Sequence, residues 1–250
     1  LATFTKKDEI ARMVHKGIDC GKGGYYSVIE SSDYSDTSEA ARLLQSMIEG
    51  NSAERAERER LRKIDALEAE IKLSNIPGYF PTQLPVIEIM LRRARLSRLS
   101  AGMRVLEPEA GSGYIADAIR AEYPDVKLEV IEPVCKLREL LRLKGHNLVG
   151  EDFMQLSHSE LGEYERIIMN PPFERQQDLD HIRHAYELLS PGGALVSVLS
   201  PSFEFRSDRK STEFRAWLDK VSARWENLPD GSFKASGTGV STRLLVIERF

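Results

Sequence analysis

The chain has 250 residues, 41% of them hydrophobic and 30% charged, with a net charge of −4. That length allows one large α/β domain and a smaller appendage. A negative balance argues against wholesale coating of a nucleic acid, and no apolar run approaches the ~18 residues of a membrane span. Two cysteines, Cys20 and Cys135, make neither a disulfide framework nor a zinc site, and residues 1–7 carry no apolar signal-peptide core. A cytoplasmic chain without metal or membrane association is the expectation.

Residues 1–36 are polar and glycine-rich around 21–24, and Tyr25-Tyr26-Ser27-Val28-Ile29 reads as a strand. Lys22 beside Gly21, Gly23 and Gly24 superficially resembles a phosphate loop, but the full Gly-x-x-x-x-Gly-Lys-Ser/Thr pattern is missing. Residues 37–74 read as two helices. Leu43, Leu44, Met47 and Ile48 mark the first, Gly50-Asn51-Ser52 breaks it, and a charge-dense second helix follows from 53. Leu61, Ile64, Leu67 and Ile71 give that second helix a narrow apolar seam. Such a seam serves packing within the chain or, alternatively, a homodimer or partner protein through 37–74.

From Ile76 the texture changes. Pro77, Gly78 and Pro81 mark a loop, and strand and helix signals then alternate. Helices are expected at 86–98, 114–122, 136–144, 179–189 and 211–221. Strands are expected at 103–107, 127–131, 147–149, 166–169, 193–199 and 243–248. The alternation predicts an α/β, doubly wound, mostly parallel sheet over 76–250, with 1–75 a small, largely helical N-terminal extension. Ligands of such sheets bind at the carboxyl ends of strands, near the point where strand order reverses. Arg92, Arg93, Arg95, Arg98 and Arg104 are the densest basic cluster, either a solvated helix end or a phosphate contact. His181 and His184, with Asp178, Asp180 and Glu187, read as a solvated helix face and not as a metal site.

The first strand runs into Glu107-Pro108-Glu109-Ala110-Gly111-Ser112-Gly113-Tyr114. Gly111 and Gly113 let backbone approach a ligand, and the helix after them presents free N–H groups. Ala116 stands where a dinucleotide fingerprint has its third glycine. Glu107 is badly placed for a pyrophosphate and suits a cation such as an ammonium or sulfonium. Glu132 ends the second strand, where an acid commonly accepts from ribose hydroxyls. Asp152, after the third strand, can accept from an adenine amino group beside Phe153. Any one of these acids can be a mere helix cap; three at successive strand ends point to a ligand. The fourth strand ends in Asn170-Pro171-Pro172-Phe173. The prolines stop the strand and hold it extended. The Asn170 side-chain oxygen and the Pro171 carbonyl can then accept from one amino group, with Phe173 a flat face for a planar base. The bland alternative is a strand-ending turn.

Over roughly 76–250 the chain resembles the class I S-adenosylmethionine-dependent amino-methyltransferases with an Asn/Asp-Pro-Pro-Tyr/Phe motif, most of all the adenine-N6 DNA enzymes. Val105-Leu106-Glu107-Pro108 with Gly111-Ser112-Gly113 looks like the family's first motif. Gly78-Tyr79-Phe80-Pro81-Thr82 looks like the preceding cofactor element, although Gln83 and Leu84 intervene before Pro85. Phe233 and 236–242 look like the late loop and hairpin that close over the target base. Residues 1–75 match no part of the family.

The resemblance implies a Rossmann-like, seven-stranded sheet and S-adenosylmethionine as cofactor. It implies that Glu107, the backbone at Ala110, Gly111 and Gly113, and Phe80 and Thr82 hold the methionine part. Glu132 would hold the ribose, and Asp152 and Phe153 the adenine. Asn170, Pro171, Pro172 and Phe173 would form the catalytic segment, Asn170 also bordering the cofactor. The implied substrate is the N6 amino group of adenine in DNA, before RNA. After Phe173 only 77 residues remain, too few for a separate target-recognition domain. Low sequence specificity follows, as in some phage or mobile-element enzymes, unless 1–75, 206–210 or a partner reads the target. The alternatives are an RNA base N-methyltransferase and a non-catalytic, methyltransferase-like assembly subunit. Protein glutamine methylation usually has Tyr where Phe173 stands.

Overall fold

The computed structural model describes residues 18–19, 26–27, 34–74, 76–229, 231–233 and 241–250. The chain forms two compact units, 1–63 and 64–250. In the first, β1 (Ile18–Asp19) pairs antiparallel with β2 (Tyr26–Ser27). The glycine-rich 21–24 lies outside the described residues. Helix α1 (Tyr34–Leu73) runs 40 residues without interruption. Gly50-Asn51-Ser52 therefore does not break it, against expectation. One mid-helix glycine costs only about 1 kcal/mol relative to alanine. The run after it is rich in strong helix formers and laced with Glu54–Arg58, Glu57–Arg60 and Glu59–Lys63 ion pairs.

The second unit begins inside this helix, at Ile64 and not at the expected 76. Ile64, Leu67 and Ile71 pack against Leu137 and Leu140 of α4 (Cys135–Lys144), and Ile71 is only 3% exposed. The apolar seam is thus used within the chain.

Seven strands form the main sheet: β3 (Arg104–Pro108), β4 (Lys127–Ile131), β5 (Leu148–Gly150), β6 (Tyr164–Met169), β7 (Leu189–Leu199), β8 (Arg224–Asn227) and β9 (Arg243–Glu248). Their order is β5-β4-β3-β6-β7-β9-β8. The first five are parallel, and β9 inserts antiparallel between β7 and β8. Strand β8, Arg-Trp-Glu-Asn, was not foreseen. All four of its residues are exposed, so it carries no apolar pattern.

Both faces of the sheet are covered, which is why its inner strands read as continuous apolar runs. Ile168, Val196 and Val198 meet Val86, Ile87 and Met90 of α2 (Leu84–Ala94) and Ile119 of α3 (Tyr114–Glu122). Ile167 and Leu195 point the other way, onto Leu179 and Ile182 of α6 (Gln177–Glu187) and Phe214 of α8 (Arg209–Lys220), the short helices α5 (His158–Leu161) and α7 (Ser202–Phe205) lying between these elements in sequence. The chain builds outward from β3 to β5, then returns to β6 on β3's other side. The reversal leaves a crevice above the carboxyl ends of β3 and β6.

The arginine cluster sits at the opposite, amino end of the parallel strands. Arg93 makes a two-pronged bond to Glu226 at 2.7 and 2.9 Å, Arg95 pairs with Glu248, and Arg104 pairs with Glu129. These three are internal partners and do not flank the crevice. Among the described residues, no helix is long and apolar enough to cross a membrane.

Candidate functional site

The crevice is an open cleft of about 460 Å³. Its walls come from the segment before α2, the loops after β3, β4, β5 and β6, and the first turns of α3, α4 and α6.

The loop after β3 is shaped by two glycines. Gly111 has φ +57, and a Cβ there would stand 3.0 Å from the Tyr79 ring; Gly113 has φ +82, and a Cβ would stand 2.8 Å from Leu141 Cδ2. Gly111 therefore borders the cleft and lets the Tyr79 ring pack on the loop, whereas Gly113 does not border the cleft and lets α3 start close against α4. Tyr79 caps this loop through its hydroxyl, which bonds Ser112 Oγ. Lys144 donates to the Ser112 carbonyl at 2.9 Å and pairs with Glu68 and Asp117, tying the end of α1 to the loop.

Glu132, at the end of β4, holds the same loop. Its Oε2 accepts from the Gly111 N–H at 2.7 Å and its Oε1 from the Val134 N–H at 2.8 Å. Each oxygen keeps a second lone pair for a ligand. Burial pushes its carboxyl above the usual range, and the two N–H donors oppose that. Glu107 is 2% exposed and borders the cleft. No described group donates to its Oε2. Burial raises its carboxyl well above the usual range, the Ala116 N–H opposing and the nearby charges of Asp117 and Glu132 adding to the rise. A buried carboxylate oxygen without a donor is costly unless a ligand supplies one.

Asp152 borders the cleft while capping the turn after β5. It accepts from the Met154 N–H at 3.0 Å and from Gln155 Nε2 at 2.7 Å. Phe153 lies beside it, 1% exposed, part of the core yet bordering the cleft.

Asn170 stands at the end of β6 and joins two sequence elements 88 residues apart. Its Nδ2 donates to the Phe80 carbonyl at 3.1 Å and to Thr82 Oγ1 at 3.0 Å. A carbonyl only accepts, so the amide orientation is set: the nitrogen faces Phe80, and Oδ1 faces elsewhere. Among the described residues nothing donates to Oδ1. Pro172 borders the cleft; Pro171 is buried and does not. Phe173 is half-buried and packs on the α2 side of the core, outside the cleft lining. Phe80 is 39% exposed at the rim. Ala110 and Thr82 are buried and border the cleft. Phe233 is 2% exposed in the core, so it does not reach out over the site as expected. Residues 234–240 of the expected late loop lie outside the described residues.

Within 87–231, the sequence matches the family model described as "Methyltransferase domain". The chain belongs to this methyltransferase family. Its cofactor is S-adenosylmethionine. No curated protein matches the methyltransferase. Among solved structures, it is similar to the type I restriction-modification system methyltransferase subunit from Streptococcus thermophilus. That likeness has a TM-score of 0.62 at 19% identity and covers 70% of this chain and 46% of the other. The chain thus spans less than half the length of that subunit. A protein from Listeria monocytogenes, described as a class I S-adenosylmethionine-dependent methyltransferase, aligns with a TM-score of 0.55 at 14% identity. It covers 76% of this chain and 67% of its own. At these identities the likeness concerns the fold.

The donor set fits the cofactor. Glu107 offers an unpartnered buried oxygen suited to an ammonium, and Glu132 retains acceptor capacity for hydroxyls.

Glu109 and His181 also line the cleft, although neither was expected there. Glu109 has φ +77, a left-handed conformation that costs a non-glycine residue ~1–3 kcal/mol. His181 Nδ1 makes a short bond to Glu109 Oε1, their side chains 13% and 10% exposed. Asp178, three residues earlier, is fully buried and accepts from the Ser200 N–H at 3.0 Å. The expectation of a solvated face for Asp178 and His181 is therefore corrected: α6 turns that face inward. The available clue was the apolar Leu179, Ile182 and Ala185 flanking them at helical spacing.

Proposed function

We propose that the methyltransferase modifies an exocyclic amino nitrogen, and that the nitrogen is N6 of adenine in DNA. The observation that carries the reading is the Asn170 amide: its nitrogen is occupied by Phe80 and Thr82, and its Oδ1 remains an acceptor beside the cleft. An aromatic amine has its lone pair delocalised into the ring. An acceptor on its hydrogens, Asn170 Oδ1, favours a pyramidal nitrogen whose lone pair faces the donor; the Pro171 carbonyl joins it only when that buried residue turns toward the cleft.

When bound, S-adenosylmethionine supplies an activated methyl group on a sulfonium. The protein's part is then alignment. Glu107, the Gly111 loop and Glu132 hold one partner; Asn170 holds the other. Asn170 is no base, so the amine proton leaves once the methylated nitrogen has become acidic. Stacking of the base on Phe173 would contribute ~1–3 kcal/mol, offsetting part of the cost of flipping it from a duplex. Phe173 must leave its packed position for that. The shared fold with a restriction-modification methyltransferase subunit accords with a DNA substrate.

Transfer of labelled methyl from the cofactor to duplex DNA, single-stranded DNA, RNA and protein tests the reading. DNA should take the label. Label in RNA alone would replace DNA with RNA, and cofactor binding without transfer to any polymer would favour an assembly subunit.

A further inference from the structure

The cleft is acidic beyond what the roles above use. Glu107, Glu109, Glu132, Asp152 and Glu174 border it, with His181 as the one basic side chain and no lysine or arginine among the described lining residues. Glu109 stands out within this set. Its Oε1 is held by His181, whereas its Oε2 is buried and has no donor among the described residues. Once Glu109 is ionised its oxygens only accept, and His181 Nδ1 then donates to it. The ring of His181 packs beside Phe153, with centroids 6.2 Å apart. Glu109 lines the cleft and occupies a left-handed backbone position that non-glycine residues disfavour.

We propose that Glu109, oriented by His181, is a second anchor in the cofactor cleft that selects by charge: it favours the positively charged methyl donor over the product left after transfer. During transfer the S–CH₃ bond breaks, the sulfur keeps the electron pair, and the amine lone pair forms the N–CH₃ bond; the methylated nitrogen then loses a proton to solvent. The sulfur changes from a cation to a neutral thioether, while the ammonium, carboxylate and ribose of the cofactor stay as they were. A group that distinguishes the two ligands must therefore sense the sulfonium charge. Glu107, read as the ammonium partner, meets the same group in both. Glu109 lies two residues beyond it with an unanswered oxygen. The charges that face Glu109 are Asp152 from the β5 loop, which repels it, and His181 from α6, which attracts it; Glu132 at the end of β4 senses Glu109 in turn. His184 is turned away to the Leu156 carbonyl. Burial raises the Glu109 carboxyl and His181 lowers it. A cation entering beside it completes the ionisation and releases a proton. Loss of that cation lets Glu109 take up its proton again and weakens the hold on the product. The inference rests on the family's cofactor and is independent of which polymer is methylated.

Titration calorimetry of the whole chain with S-adenosylmethionine and S-adenosylhomocysteine tests it. Glu109→Gln should raise the Kd of the donor roughly tenfold and that of the product by less than about threefold. His181→Asn, whose amide can donate near the Nδ1 position, should keep most of the wild-type preference. Equal weakening of both ligands by Glu109→Gln, or no change in either, would overturn the proposal. If that variant fails to fold, the wild type decides. Calorimetry in buffers of different ionisation enthalpy should show more protons released with the donor than with the product. Equal release would count against it.

Discussion

Asn170 Nδ2 and Thr82 Oγ1 lie 3.0 Å apart, joining the end of β6 to the segment that leads into α2. Thr82 thereby holds the amide so that Oδ1 stays available to a substrate. Thr82→Val removes that partner without changing shape. Losing one such bond costs about 1–2 kcal/mol, so kcat should fall roughly 5- to 30-fold. The Kd of the cofactor should move far less, and Thr82→Ser should restore most of the rate. A raised Kd with kcat unchanged at saturating cofactor would place Thr82 in cofactor binding alone.

Glu107 ties cofactor affinity to pH. Burial raises its carboxyl well above the usual range, so the empty site holds a proton there that an ordinary carboxylate has already lost. Binding a cation needs the ionised form. Affinity should therefore rise with pH throughout the range in which the empty site still holds that proton. Glu107→Gln should bind more weakly and flatten the profile, as measured by calorimetry between pH 5 and 8. A variant with the wild-type slope would locate the titration elsewhere.

Much of this site was legible in the sequence, because strand ends and their acids are local features. Glu107, Glu132 and Asp152 follow short apolar runs, and the Asn-Pro-Pro-Phe segment stops its strand by proline chemistry alone. What remained hidden depends on distant partners. Strand β8 carries no apolar pattern, since only its pairing with β9 defines it. The break expected at Gly50 was overridden by the helix formers around it. Glu109 and His181 are 72 residues apart; apolar neighbours hint that His181 faces inward, but nothing local pairs it with Glu109. Phe233 was expected near the substrate on family pattern, but its apolar ring was needed in the core.

Gly113 is a stability position. An alanine there meets Leu141 at 2.8 Å and must hold φ +82. The combined cost is ~1–3 kcal/mol, so Gly113→Ala should lower the unfolding midpoint by several degrees in a thermal melt. A midpoint unchanged within 1 °C would mean that the loop re-forms at no cost.

Asp178 gives the fold an inverse pH dependence. Its carboxyl is raised to about 6 by burial, against about 3.9 in an unfolded chain. Between those values the folded state holds a proton that the unfolded state has released, so stability falls as pH rises. The loss is complete above about pH 6 and amounts to roughly 2–3 kcal/mol. Asp178→Asn should flatten this segment of the stability profile in denaturant titrations between pH 4 and 7. An unchanged slope would exclude Asp178 as its source.

The alignment of an amino nitrogen by Asn170 is tested most directly by mass spectrometry of nucleosides released from DNA after incubation with deuterated-methyl S-adenosylmethionine. The wild type should place the label on N6 of adenine. Asn170→Ala should place none while binding the cofactor within about threefold of wild type. Label on a ring carbon or an oxygen, or an Asn170→Ala enzyme that still methylates adenine at the wild-type rate, would contradict the account.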